Sequence, residues 1–236
     1  MKKEKSGLTV IVPARAGSKR LKNKNFKDFL GRPLVFHSLD AVIGSPHIEH
    51  IIFSSDSDQY CSAVANEFGS AVQCVLRPPA YAEDSCKVTD EVARLINVGL
   101  VNTAWFMLCL PTAPLFGRKL VADFTTEWMR SPRPMFTCNE YDFPPTFAFT
   151  IQETKWKALL PDTSPMTTGN TRSQDIETYF RPNGAAYIHR SQSFLARKIL
   201  YDQAEPYVIP KMAGLDVDDE VGFAFAEMVG ERFNAQ

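Results

Sequence analysis

Short apolar runs alternate with segments of helical period along most of the chain. The runs "LTVIVPA" (8–14), "HIIFSS" (50–55), "AVQCVL" (71–76), "WFMLCLP" (105–111) and "MFTCN" (135–139) are rich in Val, Ile, Phe and Cys, and most are apolar at successive positions. A strand apolar on both faces is covered on both, as in a parallel sheet between layers of helices. Between these runs, "KVTDEVARLINVGL" sets Val88, Val92, Leu95, Ile96 and Leu100 at helical spacing. Its Thr89 and Asp90 suit a first turn, where acidic side chains meet the positive helix end. Asp56 and Ser57 are candidate caps for a helix over "SDQYCSAVANEFG", which Gly69 closes. Strand–helix alternation from 8 to 139 predicts an open, doubly wound, mostly parallel α/β sheet of Rossmann-like type. Ligands of such sheets bind beyond the carboxyl ends of the strands, so 13–24, 54–56 and 111–114 share one rim.

The pattern changes near 140. "NEYDFPPTFAFTIQETKWKALLPDTSPMTTGNTRSQDIETYFRPN" is rich in Pro, Thr and aromatics and has no helical period. The expectation for about 140–182 is a β-rich excursion whose Phe and Trp pack on something else, such as a second subunit. "GAAYIHR" and "PYVIPKMAGLDVDD" then read as returning strands and "EVGFAFAEMVGERF" as a closing helix, all within a single domain spanning 1–236.

Composition narrows the function. Lys and Arg number 26 against 27 Asp and Glu, so the chain as a whole is no electrostatic partner for nucleic acid or an anionic membrane. The 5 cysteines form no C-x-x-C, and Cys74 and Cys109 lie inside apolar runs, which points to a reducing, cytoplasmic setting. Too few apolar residues precede Pro13 for a signal-peptide core, and no window is long enough to span a membrane.

Against that neutral background, "VIVPARAGSKRLKNKN" places Arg15, Lys19, Arg20, Lys22, Lys24 and, just beyond, Lys27 directly after the first strand. A strand, a Gly/Ser turn and a group of cations is how an α/β protein holds a polyphosphate. The spacing is neither the Walker loop nor the dinucleotide fingerprint, which removes support for a kinase or a dehydrogenase. On composition alone, a solvated basic loop is the competing reading.

Residues Pro13 to Asn25 follow the order P-A-R-x-G-S-K-R-[LI]-x-x-K-N, which resembles the signature of the CMP-sialic acid synthetase (acylneuraminate cytidylyltransferase) family, including its CMP-legionaminate and CMP-pseudaminate synthetase branches. The similarity runs over nearly the whole chain. It implies an enzyme, a nucleotidyltransferase that couples CTP to a nine-carbon α-keto sugar acid, with Mg²⁺ as cofactor, acting as a homodimer. By the resemblance, Ala14, Arg15, Gly17, Ser18, Lys19, Lys24 and Asn25 bind the nucleotide, and Arg15 and Lys19 offset charge on the departing pyrophosphate. "VLRPPAYAEDS" resembles the family's cytosine-lining segment and adds Arg77, Asp84 and Ser85, although Arg77 also reads as a strand-end cation before a Pro-Pro turn.

For the sugar, "CLPTAPLFG" resembles a family loop and contributes Pro111 and Thr112, but Leu110 stands where a glutamine is common and Phe116 replaces an arginine. "NTRSQDIETYFRPNGAAYI" supplies Arg181, Asn183 and Tyr187, with Arg172 and Gln174 as further candidates. A guanidinium is the natural bidentate partner of the substrate carboxylate. Taken alone, "RPNG" reads as a turn. A lysine common in the sialic branch near Thr146 is missing, and the segments divide between branches, so the particular acid stays open. "GLDVDDEVGFAFAE" resembles a family metal segment. Asp216 and Asp218 are two apart, so on extended chain their carboxylates share a side, and the resemblance makes them the Mg²⁺ ligands. Asp219 reads as a helix cap. The four histidines show no ligand spacing. Two other classes stay open: a glycosyltransferase using Asp216-Val217-Asp218 as a D-x-D metal site, and a non-catalytic nucleotide-binding homologue.

Overall fold

Leu8–Pro13 (β1) is buried at every position, and its two faces enter different apolar clusters. Leu8, Val10 and Val12 join one with Val35, Leu39, Phe53, Met107 and Phe124, whereas Ile11 joins the other with Val92, Leu95, Phe106 and Leu108. That double coverage makes β1 a central strand. The computed structural model describes residues 7–18, 20–81, 83, 85–170, 172 and 177–234.

After β1 the chain forms a two-stranded hairpin, Asp28–Phe29 (β2) and Arg32–Pro33 (β3), then a helix at Leu34–Val42 (α1). Ile48–Ser55 (β4), Asp58–Phe68 (α2), Gln73–Leu76 (β5), Val88–Asn97 (α3), Trp105–Cys109 (β6), Arg118–Arg130 (α4) and Met135–Glu140 (β7) complete the alternation. The remainder comprises Phe149–Gln152 (β8), Lys155–Ala158 (β9), Pro165–Thr168 (α5), Phe180–Arg190 (β10), Ser191–Arg197 (α6), Glu205–Val208 (β11) and Glu220–Asn234 (α7). The main sheet has the order β11-β7-β10-β6-β1-β4-β5. All its pairs are parallel except those of β10, which runs antiparallel to both β6 and β7. The expected mostly parallel α/β sheet is present.

Local signals account for the element ends. Ser57 caps α2 by accepting from the Tyr60 amide, and Gly69 closes it at φ +55°. Asp90 completes a capping box at the start of α3, and Asp219 accepts the Gly222 amide at the start of α7. Asp56 is a correction: its carboxylate takes no part in capping α2 and accepts instead from the Ala16 amide in the loop after β1.

Two readings of the C-terminal half also change. "RPNG" is not a free turn; it lies inside β10, where the pairing with β7 shifts between Pro182 and Tyr187 and Gly184 takes φ +80°. A bulge of this kind needs a residue that tolerates the left-handed region, which glycine does without a steric cost. The second returning strand is only β11, followed by a 3₁₀ turn at Lys211–Gly214 and the loop carrying Asp216 and Asp218. The excursion holds a separate antiparallel hairpin, β8 with β9, and the short α5. Every residue of β8 is exposed.

Candidate active site

The sheet changes winding direction at β1, which is flanked by β4 and β6. Beyond the carboxyl ends of these strands lies a cavity of about 500 Å³. The loop after β1 lines it with Pro13, Arg15, Ser18, Arg20, Lys24 and Asn25. Arg77, Cys86 and Val88 close the β5 side, and Leu110, Pro111, Thr112 and Asp218 the β6 side. This is the switch-point crevice where open α/β sheets hold their ligands.

The loop is held by contacts distant in sequence. The Ala14 amide donates to the Ser54 carbonyl at 2.9 Å, and the Ala16 amide to Asp56 Oδ1 at 2.8 Å. Asn25 is buried and donates Nδ2 to the Arg15 carbonyl at 3.0 Å, so it shapes the loop as well as lining the cavity. Arg15 donates to the Glu83 carbonyl at 3.3 Å. Ala14 is buried in the core and Gly17 is exposed. Lys19, Asp84 and Gln174 lie outside the described residues.

Asp218 gathers cations from that loop. Lys24 Nζ donates to Asp218 Oδ1 at 3.1 Å and to the Val217 carbonyl at 2.7 Å, and Arg20 Nη1 reaches Asp218 Oδ2 at 3.0 Å. Burial opposes ionisation of Asp218, but the Lys24 hydrogen bond, aided by Arg20, outweighs it and lowers the carboxyl below its ordinary value. Asp216 moves the opposite way: burial raises it, Asp218 adds to the rise, and a Thr112 hydrogen bond with the charges of Lys24 and Arg181 only partly offsets them. Between the two, Val217 is fully buried with Leu21, Phe29, Leu34, Phe223 and Ala226, and its amide donates to the Thr112 carbonyl at 2.7 Å. One apolar side chain packed in this cluster thus separates Asp218, which lines the cavity, from Asp216, which does not.

On the β5 side, Arg77 is buried. Its Nε donates to Ser54 Oγ at 3.0 Å and its Nη2 to the Ser54 carbonyl at 2.9 Å. Burial lowers its pKa, while Glu91 opposes the shift. Ser85 is exposed and lines a neighbouring cavity of about 410 Å³, which Cys86 separates from the first.

On the β10 side the candidates divide. Arg181 lies close enough to Asp216 to stabilise its charge. Asn183 is buried and committed: Oδ1 accepts from Thr137 Oγ1 at 2.6 Å, and Nδ2 donates to Asn139 Oδ1 at 2.9 Å. Tyr187 is buried with its hydroxyl 3.0 Å from that of Tyr201. Arg172 is exposed. None of these four lines the 500 Å³ cavity. Phe116 sits in the core against Phe124 and does not line the 500 Å³ cavity, and Thr146 is buried with its hydroxyl unpartnered among the described residues.

Among the described residues no three His, Cys, Asp or Glu side chains converge on a metal position. The carboxylate pair Asp216 and Asp218 nevertheless suits Mg²⁺, which takes one or two carboxylates and completes its shell with phosphate oxygens and water. Asp216 is an exposed carboxyl held above its ordinary value, and the Arg20 partner of Asp218 is 73% exposed and readily exchanged.

Sequence reasoning put Asp56 on the rim but read it as a helix cap, named Arg20 among the loop cations without assigning it to the site, and passed over Glu91, a carboxylate 1% exposed behind Arg77. Only the "SSD" strand end hinted at the first.

A cation-lined cavity at the switch point of a doubly wound sheet defines an α/β protein built for a phosphorylated ligand. The model of the Cytidylyltransferase family matches residues 9–104. The chain is 26% identical to a pseudaminic acid cytidylyltransferase of Campylobacter jejuni over 93% of this chain and 94% of that one. It is 25% identical to an N-acylneuraminate cytidylyltransferase of Escherichia coli over 97% of this chain and 53% of the relative, and 25% identical to a CMP-N,N'-diacetyllegionaminic acid synthase of Legionella pneumophila over 95% and 96%. Its fold is shared by a CMP:2-keto-3-deoxy-manno-octonic acid synthetase solved with CTP, at TM-score 0.67, 15% identity and coverage of 96% and 99%. A 4-diphosphocytidyl-2C-methyl-D-erythritol synthase of Anaerococcus prevotii has the same fold at TM-score 0.67, 10% identity and coverage of 96% and 97%. No described helix is long and apolar enough to cross a membrane.

Proposed function

We propose that this chain transfers a cytidylyl group from CTP to the anomeric hydroxyl of a nine-carbon, sialic-acid-like sugar acid, releasing pyrophosphate. The observation that carries the reading is the cavity in which Arg15, Arg20 and Lys24 face Asp218 across the switch point. The hydroxyl oxygen bonds to the α-phosphorus, the bond from that phosphorus to the bridging oxygen breaks, and the hydroxyl proton passes to water. Such a displacement needs phosphate charge offset and two reactants held in line more than it needs a covalent nucleophile. Arg15 and Lys24 offset the charge on the phosphates, and Asn25 and Asp56 hold the loop that presents them. Arg181, beside Asp216, is positioned for the sugar carboxylate.

Asp216 and Asp218 hold the Mg²⁺ in this reading, and the ion when bound supplies further neutralisation of phosphate charge. A homodimer through the excursion is part of the proposal, because Phe143, Phe149, Ile151, Trp156, Leu159 and Leu160 are exposed together there.

The test is pyrophosphate release with CTP and Mg²⁺ in separate reactions with N-acetylneuraminic, legionaminic, pseudaminic, 8-amino-Kdo and Kdo acids. Release with one nine-carbon acid is the expected result and names the substrate. Binding of CTP with release from none of them defeats the proposal.

A further inference from the structure

Behind the β5 side of the cavity lies a buried polar relay that the chemistry above does not use. Glu91, in the first turn of α3, is 1% exposed, and its carboxylate is shared among three side chains. Ser54 donates Oγ to Glu91 Oε1 at 2.6 Å, while Arg94 donates Nη2 to Oε1 and Nε to Oε2, each at 2.7 Å. Ser54 Oγ in turn accepts Arg77 Nε, whose distance to Glu91 Oε1 is 4.0 Å. Arg94 also stacks over the Tyr81 ring at 5.5 Å, in the segment that follows Arg77.

The relay consumes one edge of the Arg77 guanidinium. Nε and Nη2 are spent on Ser54, which leaves Nη1 without a partner among the described residues, on a side chain that lines the cavity. The other cavity-lining cations, Arg15, Arg20 and Lys24, come from the loop after β1, and two of them meet Asp218. Arg77 is instead the residue after β5 and lines the cavity together with Val88 and Cys86, with the charge of Arg15 near enough to act on it. One fixed donor beside two apolar surfaces suits a planar base better than a phosphate, and cytosine presents ring acceptors to such a donor. A buried charge with a full set of partners also resists rotation, because losing any partner leaves a desolvated group unpaired.

We propose that Glu91 is a positioning residue for nucleotide recognition, acting through Ser54 to hold the Arg77 guanidinium with Nη1 offered to the cytosine end of the substrate. The inference rests on the CTP reading above. It assigns Ser54 and Glu91 to one function, so their effects are not additive.

The experiment compares the wild-type protein with Ser54→Ala, Glu91→Gln and the double variant, titrating each calorimetrically with CTP and separately with inorganic pyrophosphate. Ser54→Ala deletes only the relay hydroxyl and keeps the test open should the Glu91 variant fold poorly. Each single change is expected to weaken CTP about tenfold, the scale of one hydrogen bond to a charged group, and to leave pyrophosphate affinity within error. The double variant is expected to bind CTP no worse than the weaker single one. In turnover, KM for CTP rises more than kcat falls. A merely structural relay would lower the melting temperature and leave the ratio of CTP to pyrophosphate affinity at the wild-type value, which overturns the proposal. A wild-type protein that binds pyrophosphate but not CTP overturns the CTP reading itself, and this inference with it.

Discussion

The loop at 13–25 and the hairpin of β8 and β9 are both surface excursions from the same sheet, yet they are built in opposite ways. The loop is wired inward: Ala14 to Ser54, Ala16 to Asp56 and Lys24 to Val217 each pair a loop group with a partner elsewhere in the fold, and Asn25 ties the loop to itself at the Arg15 carbonyl. The hairpin is wired outward, with Ile151 72% exposed and Trp156 49% exposed, and pairs only with itself. A two-stranded hairpin alone is marginal in water. The difference teaches that the loop finds its partners within the chain, whereas the hairpin leaves apolar side chains exposed, the surface that the proposed dimer would cover.

The sharpest way to break that comparison is Asp218→Ala. Its side chain is 45% exposed, so removal should leave the melting temperature nearly unchanged. If the rim alone carries the chemistry, turnover in the pyrophosphate-release assay falls about 100- to 1,000-fold, the cost of losing one preorganised charge partner. Wild-type-like rates would remove Asp218 from the machinery. The excursion answers to a different change: Ile151→Glu with Trp156→Glu places two charges on the exposed face. Sedimentation should then show a dimer becoming a monomer, while CTP binding by the rim survives. A wild-type chain that sediments as a monomer at every concentration sinks the dimer.

The two regions also differed in how far the sequence revealed them. The loop was legible because its signal is local: a buried strand, a Gly/Ser turn and cations lie within a few residues of one another. The partners that hold it were not, since Asp56 is 40 positions from Ala16 and Asp218 is 194 from Lys24. Asp56 looked like a helix cap because cap and loop anchor use the same acceptor carboxylate, and only the fold decides which amide comes near. Likewise "RPNG" carries turn-forming residues, and β10 uses them to break register without leaving the sheet. In the excursion, exposed aromatics were readable, but the strand pairing was not, because short strands without an inward face carry no alternation.

Asp56→Ala turns that missed contact into a measurement. The Ala16 amide loses a charged acceptor at 2.8 Å, so the loop should sample other conformations before it binds phosphate. The expected result is a KM for CTP about tenfold higher, with little change in the KM for the sugar acid. An equal rise in both would mean that the anchor supports the whole rim rather than the loop.

The smallest effect is expected at Arg20, and it tests whether inward wiring is what matters. Arg20 and Lys24 both pair with Asp218, at 3.0 and 3.1 Å, so distance alone ranks them together. Their surroundings differ. The Lys24 side chain is 11% exposed and also donates to the Val217 carbonyl, whereas Arg20 is 73% exposed with Asp218 as its hydrogen-bonded partner. An exposed pair contributes only about 0–1 kcal/mol and weakens further with salt. Arg20→Ala should therefore raise the KM for CTP by only about two- to fourfold, an increment of under 1 kcal/mol, and the increment should shrink at high ionic strength. Lys24→Ala should cost more, because it removes a phosphate-facing charge and leaves the buried Val217 carbonyl without its donor. Initial rates at two salt concentrations separate the cases. Equal losses at both positions, insensitive to salt, would mean that burial does not grade the cations of this loop.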